Sequence, residues 1–214
     1  LQEVIWAGYA FLKSSHGYSG LWWPLLFTGL YYLIFNGGLT LLFAWVEKKL
    51  DYLTSAGVSC LHLMPFLDTV EGRSDGGYAV ADFRTVRKDL GSMEDLEQFP
   101  TACHKQGINV CMDFVMNHTS CDHDWAKRAL AGDGEYMSRY FFFDNEALVQ
   151  EYEKTVPQVF PTTAPGNFTK MDNGYWVMTT FYPYQWDLNY RNPRVFNEMM
   201  YNFLYLANRG IDIM

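Results

Sequence analysis

Basic charge is scarce in this chain. Sixteen Lys and Arg stand against 24 Asp and Glu, a net charge of -8, and no basic run interrupts that balance. This argues against nucleic acid as a partner, because such proteins neutralise phosphates with clustered cations. A Cys-x-x-Cys pair is missing too: Cys60, Cys103, Cys111 and Cys121 stand apart, without zinc-like spacing to histidine. Cys60 and Cys111 lie in apolar runs and read as buried thiols, which suits a reducing compartment and a cytoplasmic location. No Gly-x-Gly-x-x-Gly turn follows an apolar run, so a dinucleotide-binding fold loses ground.

Charge of either sign is absent from Ser14 to Val46, His16 apart. About 20 apolar residues span a bilayer, so 14–46 leaves membrane association open. Pro24 and Asn36-Gly37-Gly38 break the run, and Glu3 with the excess length argues against a secretory signal. A third reading is a stretch foreign to the domain that follows, and it ranks first. Residues 1–45 are therefore left unassigned.

What the chain does have is apolar and aromatic mass, 49% and 18% of residues. That is enough for a sizeable core. Aromatic rings stack on sugar faces and carboxylates accept sugar hydroxyls, so the composition hints at carbohydrate.

From Val46 the pattern is that of an α/β protein. Val46, Leu50 and Leu53 share one face of a helix over 46–56 that stops at Gly57. Residues 58–64 read as a strand stopped by Pro65. Ser92-Met-Glu-Asp95 carries a helix-start signature for 92–106, with Pro100 placed to kink or divide the helix. A helix over 195–207 and a strand over 211–214 close the chain. This rhythm predicts successive parallel strands with covering helices, as a doubly wound sheet or a barrel. Between 120 and about 186 it breaks into aromatics, Gly, Pro, Asp and Asn, with helical period only near 124–130. An irregular insertion of that length inside a compact fold is usually functional.

The central stretch is Asn109 to Thr119. Val110, Cys111, Met112, Phe114, Val115 and Met116 make a near-continuous apolar run, expected for a strand covered on both faces. Asp113, Asn117 and His118 sit inside it and need partners. A strand through Asn117 puts Asp113, Val115 and Asn117 on one face, with His118 at its end. Polar residues at the C-terminal end of a parallel strand build barrel active sites; an internal hydrogen-bond network without chemistry is the alternative. The Asn117-His-Thr triplet also matches a glycosylation acceptor, as does Asn167-Phe-Thr, and the first reads as a chance match.

Three motifs carry a resemblance to the α-amylase superfamily of retaining glycoside hydrolases and transglucosylases. Asp113-Phe-Val-Met-Asn117-His118 is similar to its Asp-x-x-x-Asn-His region. Gly77-Tyr78-Ala-Val-Ala-Asp82-Phe83, followed by Leu90-Gly-Ser-Met-Glu-Asp-Leu96, resembles its Gly-Tyr segment. Gln185-Trp-Asp187-Leu-Asn189 resembles the motif near the end of its inserted domain. The wording Glu71-Gly-Arg-Ser-Asp75-Gly-Gly-Tyr78-Ala-Val80, with Trp176 to Pro193, points to the amylosucrase branch.

The resemblance covers about 46–214. It implies the first half of a (β/α)8 TIM barrel, through strand 4, with an irregular domain B inserted after strand 3 at about 119–189. It implies glucosyl transfer from sucrose to an α-glucan or to water, with no cofactor and no metal. Asp75 and Tyr78 would line the glucosyl pocket, and His118 would donate to the same sugar at the transition state. Phe181 and Gln185 would shape the pocket from the insertion. Asp113, Asn117, Asp187 and Asn189 would support the rim. Asp75 also reads as a plain turn residue, and packing is favoured for Tyr182, Tyr184, Trp125 and Trp176.

A retaining glycosidase needs a nucleophilic and an acidic carboxylate. The resemblance puts the first in an Arg-x-Asp triplet after the fourth strand and the second on the fifth. Asp212 within 211–214 is a strand residue, so the given 214 residues are expected to be an inactive part of the enzyme. The alternatives are a truncated pseudoenzyme keeping weak sugar binding, or another α-glucosidase-type member.

Overall fold

The computed structural model describes residues 49–214. Two units divide the chain, one ending at Gly57 and the other running Val58–Met214. Of the first, the described residues form a helix over 49–55 (α1), with Leu50 buried. Gly57, at φ 81°, ends it by donating its N–H to the Thr54 carbonyl, the left-handed stop a glycine supplies. The uncharged stretch 14–46 lies outside the described residues. Among those described, no helix is long and apolar enough to cross a membrane.

The second unit is organised by parallel strands. Strand β1, Cys60–Leu63, follows the expected Val58–Met64 and pairs in parallel with β4, Asn109–Met112. Ile213 forms a parallel bridge to Cys111 on the other edge of β4, supported by Met112 N–H to Ile213 O at 2.9 Å. Between β1 and β4 come β2 (Leu67–Asp68) and β3 (Asp82–Val86), an antiparallel pair, and then helix α2, Met93–Lys105. The Ser92–Asp95 capping box predicted from sequence is present, each side chain bonding the other's backbone N–H. Pro100 neither divides nor ends α2, which runs as one helix with Pro100 buried. Gly210, at φ 90°, faces it: a Cβ there would stand 2.9 Å from the Pro100 Cβ.

The central strand differs from expectation. It ends at Met112, not near His118, and residues 113–117 leave the ladder after one last bond from Asp113 N–H to the Leu63 carbonyl. His118–Ser120 is a separate strand, β5, antiparallel to β9, Gln185–Asp187. The apolar run is unevenly buried: Val110, Met112 and Val115 are buried, Cys111 and Phe114 half-buried, and Met116 exposed. Cys60, expected to be buried, is exposed. Among the described residues β1 has a ladder partner on one edge alone, so its side chains are covered less than those of a strand paired on both.

From Ser120 to Gln185 the chain forms short elements. Helices α3 (Asp124–Leu130), α4 (Gly134–Met137) and α5 (Glu146–Glu153) accompany a three-stranded antiparallel sheet of β6 (Phe142–Phe143), β8 (Trp176–Met178) and β7 (Phe168–Lys170), in that order. Its core is aromatic and edge-on: Tyr140 and Phe142 each meet Trp186, at 90° and 86°. Trp125 is buried there beneath the guanidinium of Arg139, as expected of a packing residue. Asn167 is fully buried and bonded to Glu153, which is no setting for a sugar acceptor. Helix α6, Pro193–Ala207, begins with Pro193 behind an Asn192 cap, two residues before the predicted start.

Candidate functional site

The site begins with a turn. Ser74–Asp75–Gly76–Gly77 curls into a short 3-10 turn, with Asp75 at φ 48°, a left-handed conformation uncommon for a residue with a Cβ. Gly77, at φ 104°, passes so close to Pro65 that a Cβ would lie 2.3 Å from its carbonyl oxygen. Only glycine fits there, and the close approach delivers Tyr78 to the end of β4. Asp75 is thus a turn residue whose carboxylate also joins the cluster around it.

Around this turn the structure gathers residues from three parts of the chain. The Tyr78 hydroxyl donates to Asp113 Oδ2 at 2.8 Å, and that bond to a carboxylate, with burial second, raises the phenol pKa. Gln185 is buried, its amide donating to Asp75 Oδ2 at 3.3 Å while its oxygen accepts the Tyr182 N–H at 3.1 Å. His118 is buried against the ring of Phe181, centroids 5.2 Å apart. Asp75, Tyr78, Asp113, His118, Phe181 and Gln185, separated by up to 110 positions, form one cluster. It sits where β4 ends, the C-terminal side of a parallel strand.

His118 is more committed than the sequence suggested. Its Nε2–H donates to the Tyr78 carbonyl at 3.1 Å, and Nδ1 stands 3.3 Å from the Asn117 amide nitrogen, which donates to it. The hydrogen expected to reach a sugar is therefore spent on backbone, and a sugar hydroxyl would have to compete for it. Burial holds its pKa down at about 4, so the ring is neutral at pH 7.

The rim is held by Asp187. This buried carboxylate accepts from the Asn117 amide at 2.7 Å, the Thr180 N–H at 3.0 Å and the Thr180 hydroxyl. Burial nevertheless raises its pKa, the largest effect acting on it. Asn189 stands apart from the cluster: its amide donates to the Ser138 carbonyl at 3.2 Å, and its oxygen accepts the Arg191 N–H. Asp212 is a clamp, its Oδ2 accepting the Val110 N–H at 2.8 Å and lying 2.7 Å from His104 Nε2.

One neighbour lies outside the sequence motifs. His62 on β1 places Nε2 3.6 Å from Asp113 Oδ2. A lone histidine inside an otherwise apolar strand that ends at Pro65 was the available signal. Two open hollows among the described residues, both lined by Glu135 and Arg194, include none of the cluster's residues. Among the described residues, no group of three or more His, Cys, Asp or Glu is placed to hold a metal ion.

Residues 43–213 match the family described as alpha amylase, catalytic domain. The chain belongs to the alpha-amylase family. It is 36% identical over 179 residues to the trehalose synthase of Pimelobacter sp. (strain R48), covering 83% of this chain and 30% of that protein. To the oligo-1,6-glucosidase of Heyndrickxia coagulans it is 30% identical, covering 78% and 29%. Among solved structures, a mutant of MutB, the trehalulose synthase of Pseudomonas mesoacidophila MX-45, bound to its substrate sucrose, superposes with a TM-score of 0.68. It is 28% identical and covers 78% of this chain and 29% of that one. These neighbours are TIM-barrel enzymes of the family, and this chain corresponds to a partial, N-terminal region of such a barrel. The chain spans about three-tenths of the length of the relatives it matches.

Proposed function

We propose that the whole protein is a retaining enzyme that transfers a glucosyl unit from an α-glucosidic disaccharide, with sucrose as donor and an α-glucan or water as acceptor. The observation that carries this reading is the joined pair Tyr78–Asp113 and Asp75–Gln185 at the end of β4. It supplies a ring beside carboxylates, the combination a hexose needs to be both stacked and hydrogen-bonded. Residues 46–214 are the N-terminal part of the catalytic barrel, and about 119–189 are its inserted domain B. The protein works in the cytoplasm.

In this scheme Asp75 accepts sugar hydroxyls and Tyr78 stacks on the ring, held by Asp113. His118 holds the Tyr78 backbone and exchanges that bond for a sugar hydroxyl as charge develops. Gln185 and Phe181 fix Asp75 and His118 in place; Asn117 and Asp187 stiffen the rim, and Asn189, apart from the cluster, braces the chain after β9. The two reacting carboxylates come from the fourth and fifth strands of the whole barrel. One displaces the glycosidic oxygen from the anomeric carbon, and that oxygen leaves with the proton of the other. The acceptor hydroxyl then bonds the anomeric carbon, releases the first carboxylate and returns its proton to the second.

The amylosucrase-like wording of Glu71–Val80 and the sucrose bound by MutB support sucrose as donor. The identity to trehalose synthase favours a second reading, in which the donor is trehalose. The test is to incubate the full-length protein with sucrose, trehalose and maltose separately and follow the sugars released. Fructose release from sucrose with growth of a glucan is expected. Turnover of trehalose alone would move the assignment to the second reading, and no turnover of any of the three by folded protein would overturn both.

A further inference from the structure

The surface between α4 and α6 gathers charge that the glucosyl scheme does not use. Two hollows, of about 570 and 660 Å3, meet there, and Glu135 and Arg194 line both. Arg191 adds to the first; Arg84, Arg139 and Glu198 add to the second. Four arginines thus face two glutamates, on a chain whose net charge is -8. The first hollow also takes in Asn192 and Pro193, the start of α6, where the helix dipole adds partial positive charge.

Arg139 is the built part of this surface. Its side chain is only 5% exposed, with the guanidinium carbon 4.3 Å from the Trp125 ring and 4.4 Å from that of Tyr136. These two rings fix the plane of the fork. Nη2 donates to Glu135 Oε1 at 3.2 Å, which turns that edge toward the carboxylate lining both hollows. Nη1, on the same edge, and Nε have no hydrogen-bond partner among the described residues. A buried guanidinium with unmet donors keeps their desolvation penalty, so the arrangement is costly as it stands. The one acceptor it has is shared, because Arg194 Nη1 pairs with the same Oε1. Arg194 first and Arg139 second hold the Glu135 carboxyl below its usual range. One carboxylate oxygen therefore serves two guanidinium groups, where an anion with more oxygens and more charge would serve both forks.

Charge selects the ligand. Against the two glutamates, the four arginines leave a surplus of two positive charges, which a carboxylate would only half neutralise. A phosphate monoester carries about -1.5 to -2 at pH 7 and offers three acceptor oxygens. The hollows are wider than one phosphate, so the body of an ester has room beside it.

We propose that Arg139, Arg194 and the start of α6 form a binding site for a phosphate group, free or carried on a small ester, with Glu135 as the internal anion it displaces. The site is separate from the glucosyl pocket, and it does not depend on which sugar is the donor.

The test is calorimetry on the full-length protein with inorganic phosphate and with glycerol 3-phosphate. It is run at about pH 7.5, with ionic strength held constant by sodium chloride so that general screening cancels. Saturable binding is expected. Tighter binding of glycerol 3-phosphate assigns the site to an ester, and tighter or equal binding of inorganic phosphate assigns it to the free ion. Arg194→Met should weaken binding about tenfold or more. Glu135→Gln removes the competing charge and should tighten binding about threefold. Arg139→Met should abolish binding. If that buried replacement does not fold, the other two decide the matter, since Arg194 is 61% and Glu135 46% exposed. No saturable heat with either probe on folded wild type would overturn the proposal and leave Glu135 with its two arginines as a structural ion pair. Equal affinity in wild type, Arg194→Met and Glu135→Gln would overturn it as well.

Discussion

The phenol of Tyr78 donates a 2.8 Å hydrogen bond to Asp113, tying a glycine-rich turn to the end of a parallel strand 35 residues later. Tyr78→Phe removes only the hydroxyl, leaves the carboxylate partly solvated, and should cost about 1 kcal/mol in denaturant unfolding of the full protein. Asp113→Asn keeps an acceptor and should cost less than that. A larger loss from Asp113→Asn would mean that the charge, through His62 at 3.6 Å, carries more of the contact than the hydrogen bond does.

The turn itself depends on one missing side chain. Gly77→Ala drives a Cβ to 2.3 Å from the Pro65 carbonyl at φ 104°, so more than about 2 kcal/mol of stability should be lost. Gly174→Ala, at φ 89° with nothing within 4 Å, should cost only about 1 kcal/mol of backbone strain. Thermal midpoints of the two variants separate steric clash from conformational strain.

Asp187 is the polar keystone of the rim. Asp187→Ala would leave the Asn117 amide, the Thr180 N–H and the Thr180 hydroxyl without their acceptor. About 3 kcal/mol should be lost. Asp187→Asn keeps the volume but turns an NH2 toward donors and should fall between that variant and wild type. A loss below about 1 kcal/mol for alanine would show that water replaces the carboxylate at no cost.

Acid should weaken the protein before its carboxylates protonate. His118 and His123 are buried, and desolvation depresses both pKa values to about 4, against 6.5 when unfolded. Asp82 and Asp124 pull His123 upward without overcoming burial. Between pH 6.5 and 4 the unfolded chain binds protons that the folded one refuses, so stability falls as pH falls, by at most about 3 to 4 kcal/mol per histidine. Asp187, whose pKa is raised, works the other way: its protonation favours the folded state at low pH. His123 also caps α3, its Nδ1 accepting the Trp125 N–H. His123→Asn should keep a cap and flatten the pH dependence of the urea midpoint over this window; an unchanged slope would remove His123 as a cause.

Local pattern was enough for the framework. The Ser92–Asp95 box starts α2 and Gly57 stops α1, because caps and stops act within a few residues and are written in adjacent letters. The residue types of the cluster were legible for the same reason, as motifs in the right order. The end of β4 was not. An apolar run reads alike whether the backbone stays in one ladder or leaves it, and the pairing of His118–Ser120 with Gln185–Asp187 decides that from 65 or more residues away. Nor could the sequence say that His118 turns its Nε2–H to the Tyr78 carbonyl, or that Gln185 spends its amide on Asp75. Hydrogen-bond partners are chosen by which surfaces meet on folding. The sequence by itself determined the long helices, the first strand, the family motifs and the chemistry on offer. Tertiary structure alone decided which of those groups come together at the end of β4 and which are consumed in holding one another.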